Sequence, residues 1–353
     1  MEYPPVSVVM PVRNEERHLA ESVRHVLAQD YPGPLEVVLA VGPSHDRTEQ
    51  IARELTDPRV TVIANPSGRI PSALNAARRA ARYDVIARVD GHALLPPGYL
   101  RTAVAALTDT GAADVGGIMA AEGLTPFQQA VAWGMTSPAG VGAAAFHTGG
   151  HAGPADSVYL GVYRREAIEE AGGYDEEMLR AEDWELNYRI RARGHLIWFT
   201  PELRITYRPR ASVGALGSQY FHYGRWRRVI VREHPETANF RYLAPPGAAA
   251  LVAVGLLAGL AGLIGVAAGA PAAVGWLAAG LAIPLTYLLG ITAVSGALSR
   301  GVPAGVRARL PLVLATMHMA WGTGFLTSPP GLHRVREGST TARSGQVTAD
   351  ARE

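Results

Sequence analysis

The sequence predicts an α/β fold, a doubly wound parallel sheet, followed by a membrane region. Three observations lead there. Short apolar runs alternate with helix-patterned segments over the first ninety residues, polar residues cluster just after those runs, and no charged residue occurs from Tyr242 to Ser299. Apolar strands alternating with helices indicate a sheet covered on both faces. In such sheets ligands bind beyond the carboxyl ends of the strands.

The elements follow in order. Val6 to Pro11 reads as a buried strand, and Glu15 to Gln29 as a helix with Leu19, Val23, Val26 and Leu27 on its apolar face. Glu36 to Val41 is a second strand, closed by Gly42-Pro43-Ser44, and Asp46 to Leu55 is a helix. Val60 to Ala64 is a third strand, Pro71 to Arg82 an Ala-rich helix, and Asp84 to Val89 a fourth strand running into Asp90-Gly91-His92. Beyond it, Asp114 to Met119 and Val158 to Tyr163 read as strands and Thr125 to Trp133 as a helix. Pro138 to Gly153, rich in Gly, Ala and His, reads as a mobile loop. A short helix from Arg164 to Ala171 stops at Gly172-Gly173. Glu182-Asp183 heads another, with Leu186 and Ile190 on one face and Gly194 closing it, and Leu196 to Phe199 is a last strand.

Composition narrows the function. The net charge of +2 gives no global basic field, so nucleic acid is not an expected partner. The absence of cysteine removes disulfides, thiolate metal sites and cysteine nucleophiles. Met1 to Pro5 has no apolar core, so no signal segment is expected there.

Two uncharged segments, about 247–268 and 272–297, are each long enough to cross a hydrocarbon core of roughly 30 Å. Soluble helices of this length carry a polar face, and these do not. A third segment, 310–326, is shorter and fits spanning, re-entry or an interfacial position. Arginines precede the first segment and follow the second, which places the N-terminal region on the cytoplasmic side of a multi-pass membrane protein. The expected division is a domain over 1–240, a membrane region over 241–328 and a polar, disordered tail over 329–353.

The strand-end residues suggest chemistry. A carboxylate at Asp90 with an imidazole at His92 suits a divalent cation shared with a diphosphate. No helix starts directly after Asp90, and Gly91 allows close approach of a ligand to the backbone. Asp183, with Glu182 beside it, is a candidate base, although acidic residues also favour helix N-termini electrostatically. Asn14 and Asp46 fit either ligand contact or helix capping. Gln219 to Arg232 sets arginine beside aromatic residues, which suits phosphate binding and a membrane-surface anchor alike. His147 and His151 fit a loop closing over a ligand or an exposed loop without a role.

Five stretches in order, "VSVVMPVRNEE", "NPSGRIPSALNAARRA", "RVDGH", "GGYDEEMLRAEDWELNYRIRARG" and "QYFHYGRWRR", make the first 230 or so residues resemble family 2 glycosyltransferases of the GT-A fold. The similarity extends to the membrane-bound branch of succinoglycan-type exopolysaccharide glucosyltransferases, where Asp-Gly-His replaces Asp-x-Asp and apolar helices follow. The resemblance implies a metal and diphosphate role for Asp90 and His92, with Mn²⁺ or Mg²⁺ as cofactor, and a base at Asp183 backed by Glu182. It implies donor contacts at Pro11, Asn14, Glu15, Asp46 and Asn75. It relates Gln219, Arg225 and Trp226 to a Gln-Arg-Trp element near the acceptor or diphosphate, at a wider spacing here. One departure stands out: Val41 and Gly42 occupy the place where an acid that reads the nucleobase is usual. The implied activity is inverting transfer of a hexosyl unit from a nucleotide-diphosphate sugar to a hydroxyl of a lipid-linked or other glycan acceptor. The alternatives are a polyprenyl-phosphate sugar transferase and a non-catalytic sugar-nucleotide-binding scaffold.

Overall fold

The computed structural model describes residues 3–142 and 144–333. The strands are β1 (Val6–Val12), β2 (Leu35–Val41), β3 (Val60–Ala64), β4 (Val85–Arg88), β5 (Asp114–Ala121), β6 (Gly153–Pro154), β7 (Tyr159–Arg164) and β8 (Ile197–Tyr207). The helices up to β8 are α1 (Leu19–Leu27), α2 (Thr48–Glu54), α3 (Ile70–Ala80), α4 (Tyr99–Thr110), α5 (Pro126–Thr136), α6 (Pro138–Val141), α7 (Ala145–Thr148), α8 (Arg165–Glu170) and α9 (Glu182–Ala192). After β8 come α10 (Val213–Glu233), α11 (Phe240–Ala267), α12 (Ala272–Gly275), α13 (Ala282–Leu298), α14 (Ala304–Arg307) and α15 (Leu310–Leu326). The chain forms two compact units, one of residues 1–121 and 143–207, the other of residues 122–142 and 208–353.

The first unit holds one sheet in the order β3-β2-β1-β4-β7-β5-β8-β6. β3, β2, β1 and β4 are parallel, as the alternation predicts. The later half of the sheet, α+β in texture, is mixed in direction. β7 runs antiparallel between β4 and β5, and β6 is an antiparallel edge on β8. A strand buried on both faces carries no local mark of direction, so its apolar run could not reveal this. β1 sends Val6, Val8, Met10 and Val12 into one apolar layer and Val9 into the other. The expected loop over 138–153 contains the short helical turns α6 and α7, and α4 was not foreseen. Gly98, at φ 79°, caps α4 where a Pro-Pro-Gly run reads as a break.

The Gly172-Gly173 stop behaves as expected. Both glycines take positive φ, and Gly173 N–H donates to Ile168 O, closing α8.

In the second unit α10 and α15 cross almost backbone to backbone. A Cβ on Gly224 would sit 2.0 Å from Trp321 O, and one on Gly324 would sit 2.0 Å from Phe221 O. Along α11, Gly255, Gly259 and Gly262 admit the segment around Ala278 to Leu281 in the same way. The helices Phe240–Ala267 and Ala272–Leu298 are long and apolar enough to cross a membrane. Only 22% and 11% of their most apolar windows are buried, whereas the core helix of a soluble protein is mostly buried. Leu257, Ile264 and Leu289 are each more than 60% exposed. Such a surface suits lipid and supports membrane association. α15 has 17 residues, about 26 Å of helix. It buries Leu310, Val313, Leu314 and Met317 within its own unit. Of the disordered tail expected over 329–353, residues 329–333 are described and the remainder lies outside the described residues.

Candidate active site

The parallel register brings the strand ends to one edge. Pro11 and Val12 of β1 pair with Ala40 and Val41 of β2, and Arg88 at the end of β4 pairs with Val9 of β1. The loops after these strands are tied together. Asn14, left-handed at φ 54°, donates its N–H to Ser44 Oγ at 3.1 Å and accepts from His45 N–H at 2.9 Å. It therefore staples two loops and caps no helix: α1 starts at Leu19, behind His18. Glu15 N–H donates to Thr48 Oγ1 at 2.7 Å. Asp46 accepts from the Thr48 hydroxyl and N–H with one oxygen and from Glu16 N–H with the other. Burial opposes its ionisation, but these bonds outweigh burial and hold the carboxyl below the ordinary range. Both Asp46 oxygens are engaged by the protein itself, a capping-type turn before α2.

Gly91 has a packing reason. It is buried, and a Cβ there would lie 3.1 Å from Glu15 Cγ and 3.4 Å from Pro11 O. Its small size admits the Glu15 side chain, which reaches His92: Nδ1 lies 2.8 Å from Glu15 Oε1. Gly42 also has a packing reason. A Cβ at this position would stand 3.0 Å from Gly68 Cα, so an acidic side chain has little room. Arg13 spans the same place, donating to Pro43 O and Gly68 O.

Asn75 is not an open donor contact. It is buried, donates to Tyr174 O at 2.8 Å and Glu176 Oε1 at 3.1 Å, and accepts from Tyr174 N–H at 2.9 Å. Three of the four hydrogen bonds its amide can make go to the segment leading into α9. A buried amide satisfied by backbone looks the same in sequence as one that faces a ligand.

Arg88 was missed by sequence reading and joins the two acidic motifs. Its Nη2 donates to Glu182 Oε1 at 2.9 Å and its Nε to Asp90 Oδ1 at 3.3 Å. The side chains of Arg88 and Glu182 are each 8% exposed and that of Asp90 is 23% exposed. Burial pushes the Glu182 carboxyl up; Arg88 opposes that rise and the neighbouring Asp183 adds to it. Glu182 is thus almost fully buried and paired with Arg88. Asp183 is half-buried in the first turn of α9, and its Oδ1 accepts from Trp184 N–H at 2.7 Å. Ala181 before it holds φ 60°, a conformation that costs a non-glycine residue about 1–3 kcal/mol and concentrates at functional sites. The signal for Arg88 was available: a cation in an otherwise apolar strand requires a buried partner.

The donor set fits a divalent cation. Asp90 offers a carboxylate and His92, 53% exposed, an imidazole with Glu15 on its Nδ1. Among the described residues no three such groups form a ready cage, so a cation here would share its shell with diphosphate oxygens and water. His147 lies on α7, and His151 is exposed. Gln219, Arg225 and Trp226 belong to the second unit, on α10. Gln219 donates to Tyr223 Oη, Trp226 is 5% exposed, and Arg225 stacks over Phe221 at 5.6 Å.

Comparison with known proteins agrees with this architecture. The profile described as Glycosyl transferase family 2 matches residues 7–172. The chain is 33% identical to the succinoglycan biosynthesis protein ExoA of Rhizobium meliloti (strain 1021) over 322 residues, covering 90% of this chain and 93% of that protein. It is 22% identical over 241 residues to the dolichyl N-acetyl-alpha-D-glucosaminyl phosphate 3-beta-D-2,3-diacetamido-2,3-dideoxy-beta-D-glucuronosyltransferase of Methanococcus voltae, covering 65% and 74%. Among solved structures, the mannosyltransferase PcManGT from Pyrobaculum calidifontis, in complex with GDP-Man and Mn²⁺, superposes with a TM-score of 0.58 at 20% identity, covering 92% of this chain and 88% of that one. The sheet is thus that of a GT-A fold, and the chain belongs to glycosyltransferase family 2.

Proposed function

We propose that this glycosyltransferase is an inverting, divalent-metal-dependent enzyme that moves a sugar from a nucleotide diphosphate to a hydroxyl of a lipid-linked glycan. One residue carries the assignment: Arg88 joins Asp90 and Glu182, so the candidate donor-side and base-side motifs form one cluster. Asp183, adjacent to Glu182 and half-buried, takes the proton as the acceptor hydroxyl attacks the anomeric carbon from the face opposite the diphosphate. The bond from that carbon to the diphosphate oxygen breaks in the same displacement, which inverts the centre. Asp90 and His92, with Glu15 behind the imidazole, would hold Mn²⁺ or Mg²⁺, which offsets charge on the departing diphosphate. Pro11, Asn14 and Glu15 shape the donor side of the edge, with Asn14 holding the loops.

A lipid-linked acceptor is favoured by the apolar helices α11 and α13 and by the relative whose name contains a dolichyl-linked sugar phosphate. The arginines before α11 and after α13 favour a multi-pass protein with its N-terminal unit in the cytoplasm. Gln219, Arg225 and Trp226 are assigned to the acceptor or the diphosphate by resemblance alone.

The test is donor binding by the detergent-purified protein. UDP-, GDP- and TDP-sugars are compared by thermal shift with and without Mn²⁺, and positives are repeated on Asp90→Ala. Metal-dependent stabilisation by one nucleotide class, lost in the variant, supports the assignment. No stabilisation by any donor in a folded, metal-replete sample would sink it.

A further inference from the structure

We propose that Arg88 is a positioning residue: its guanidinium fork fixes the Asp90 carboxylate and the first turn of α9 relative to each other, so that donor side and base are held in one geometry. The proposal rests on the roles given above to Asp90 and Asp183.

Three observations lead to it. First, the fork spans sequence-distant motifs, since Arg88 and Glu182 are 94 positions apart. Only a planar guanidinium donates in two fixed directions at once, and a lysine in the same place is a single point charge. Second, the second carboxylate it holds is Glu182, whose neighbour in the chain is Asp183. The Asp183 oxygen is tied to Trp184 N–H in the same turn, so displacement of Glu182 carries Asp183 with it. The turn is entered through Ala181 at φ 60°, a backbone state that persists only when its surroundings enforce it.

Third, the cluster is poorly explained by stability. Arg88 and Glu182 are almost fully buried, and Arg88 Nη1 is buried without a hydrogen-bond partner. Well-packed apolar side chains are often as stable as a buried ion pair, or more so. A pair with an unmade bond is a still weaker source of stability. What an apolar pair cannot supply is a directional hold on Asp90. With Oδ1 on Arg88 Nε, the orientation of that carboxylate is set before a donor arrives.

The experiment compares Arg88→Lys, the double variant Arg88→Met with Glu182→Leu, and Asp183→Asn. Each full-length protein is measured for Tm, for Mn²⁺-dependent stabilisation by the donor, and for kcat and KM of transfer. Arg88→Lys is expected to retain metal-dependent donor binding with a kcat lower by about 10–100-fold, the range for misplaced catalytic groups. The double variant is expected to match or exceed the wild-type Tm while its kcat stays equally low. Wild-type kcat in Arg88→Lys, or recovery of both Tm and kcat in the double variant, would overturn the proposal. If Arg88→Lys does not fold, the double variant decides. Failure of both to fold also overturns it, because the pair would then carry the fold. Asp183→Asn separates the two levels: full activity there sinks the base assignment whatever Arg88 does. An inactive Asp183→Asn beside a fully active Arg88→Lys sinks only the positioning role.

Discussion

His92 and Glu15, 77 positions apart, meet at 2.8 Å between Nδ1 and Oε1. The contact joins the loop after β4 to the loop after β1. A carboxylate on one ring nitrogen orients an imidazole and makes the other nitrogen a better ligand. His92→Asp is expected to lower the preference for Mn²⁺ over Mg²⁺ by several-fold, since an oxygen donor suits the harder ion. Initial rates of transfer measured across both metals check this, and an unchanged ratio removes His92 from the metal's surroundings. EDTA is expected to abolish transfer in either protein, and Mn²⁺ to restore it.

Asp183→Asn is expected to reduce kcat by about 10²–10⁴-fold, the usual contribution of a positioned base. Its Tm should stay close to wild type, because the amide oxygen still accepts from Trp184 N–H. A small kcat loss would point to an acceptor that is already anionic, such as a lipid phosphate.

Asn75→Ala leaves the Tyr174 N–H and carbonyl without their buried partner. A loss of about 1–3 kcal/mol in urea unfolding is expected. Isothermal titration of the folded variant should find donor affinity close to wild type. A strong loss of donor affinity at intact stability would restore Asn75 as a direct contact.

Asp114 lies in β5 with both carboxylate oxygens buried and unbonded. Asn187 and Tyr163 stand close enough to ease the charge without reaching hydrogen-bond geometry, and burial pushes the carboxyl well above its usual range. A raised folded-state pKa means the native state binds the proton more tightly. That contribution is complete below the ordinary Asp value of about 3.9 and is lost as pH rises through the folded value. Asp114→Asn removes the dependence. Its Tm relative to wild type is therefore expected to climb from pH 4 to pH 8, and a flat difference across that range would contradict a buried proton.

Much of the candidate site is legible in the sequence. Asp90, His92, Glu15 and Asn14 could be placed at one edge because parallel strands share their carboxyl ends, a rule that needs only strand–helix alternation. The two apolar spans needed only length and the absence of charge. Asn75, Asp46 and Gly91 show the limit. Each leaves a ligand contact open in the sequence, Asp46 beside a capping role, and each has a partner within the protein, in Tyr174, in Thr48, or in the Glu15 side chain.

The alternating order of β1 to β4 and the edge where chemistry gathers are legible in the sequence, because they follow from local periodicity and residue type, and the family is legible there as a resemblance of motifs. The direction of β7, the packing reason for the glycine at position 42 and the link from Asp90 through Arg88 to Glu182 come from the assembled fold. Those depend on which distant segments share a buried volume, and there a charge must find its partner across the fold.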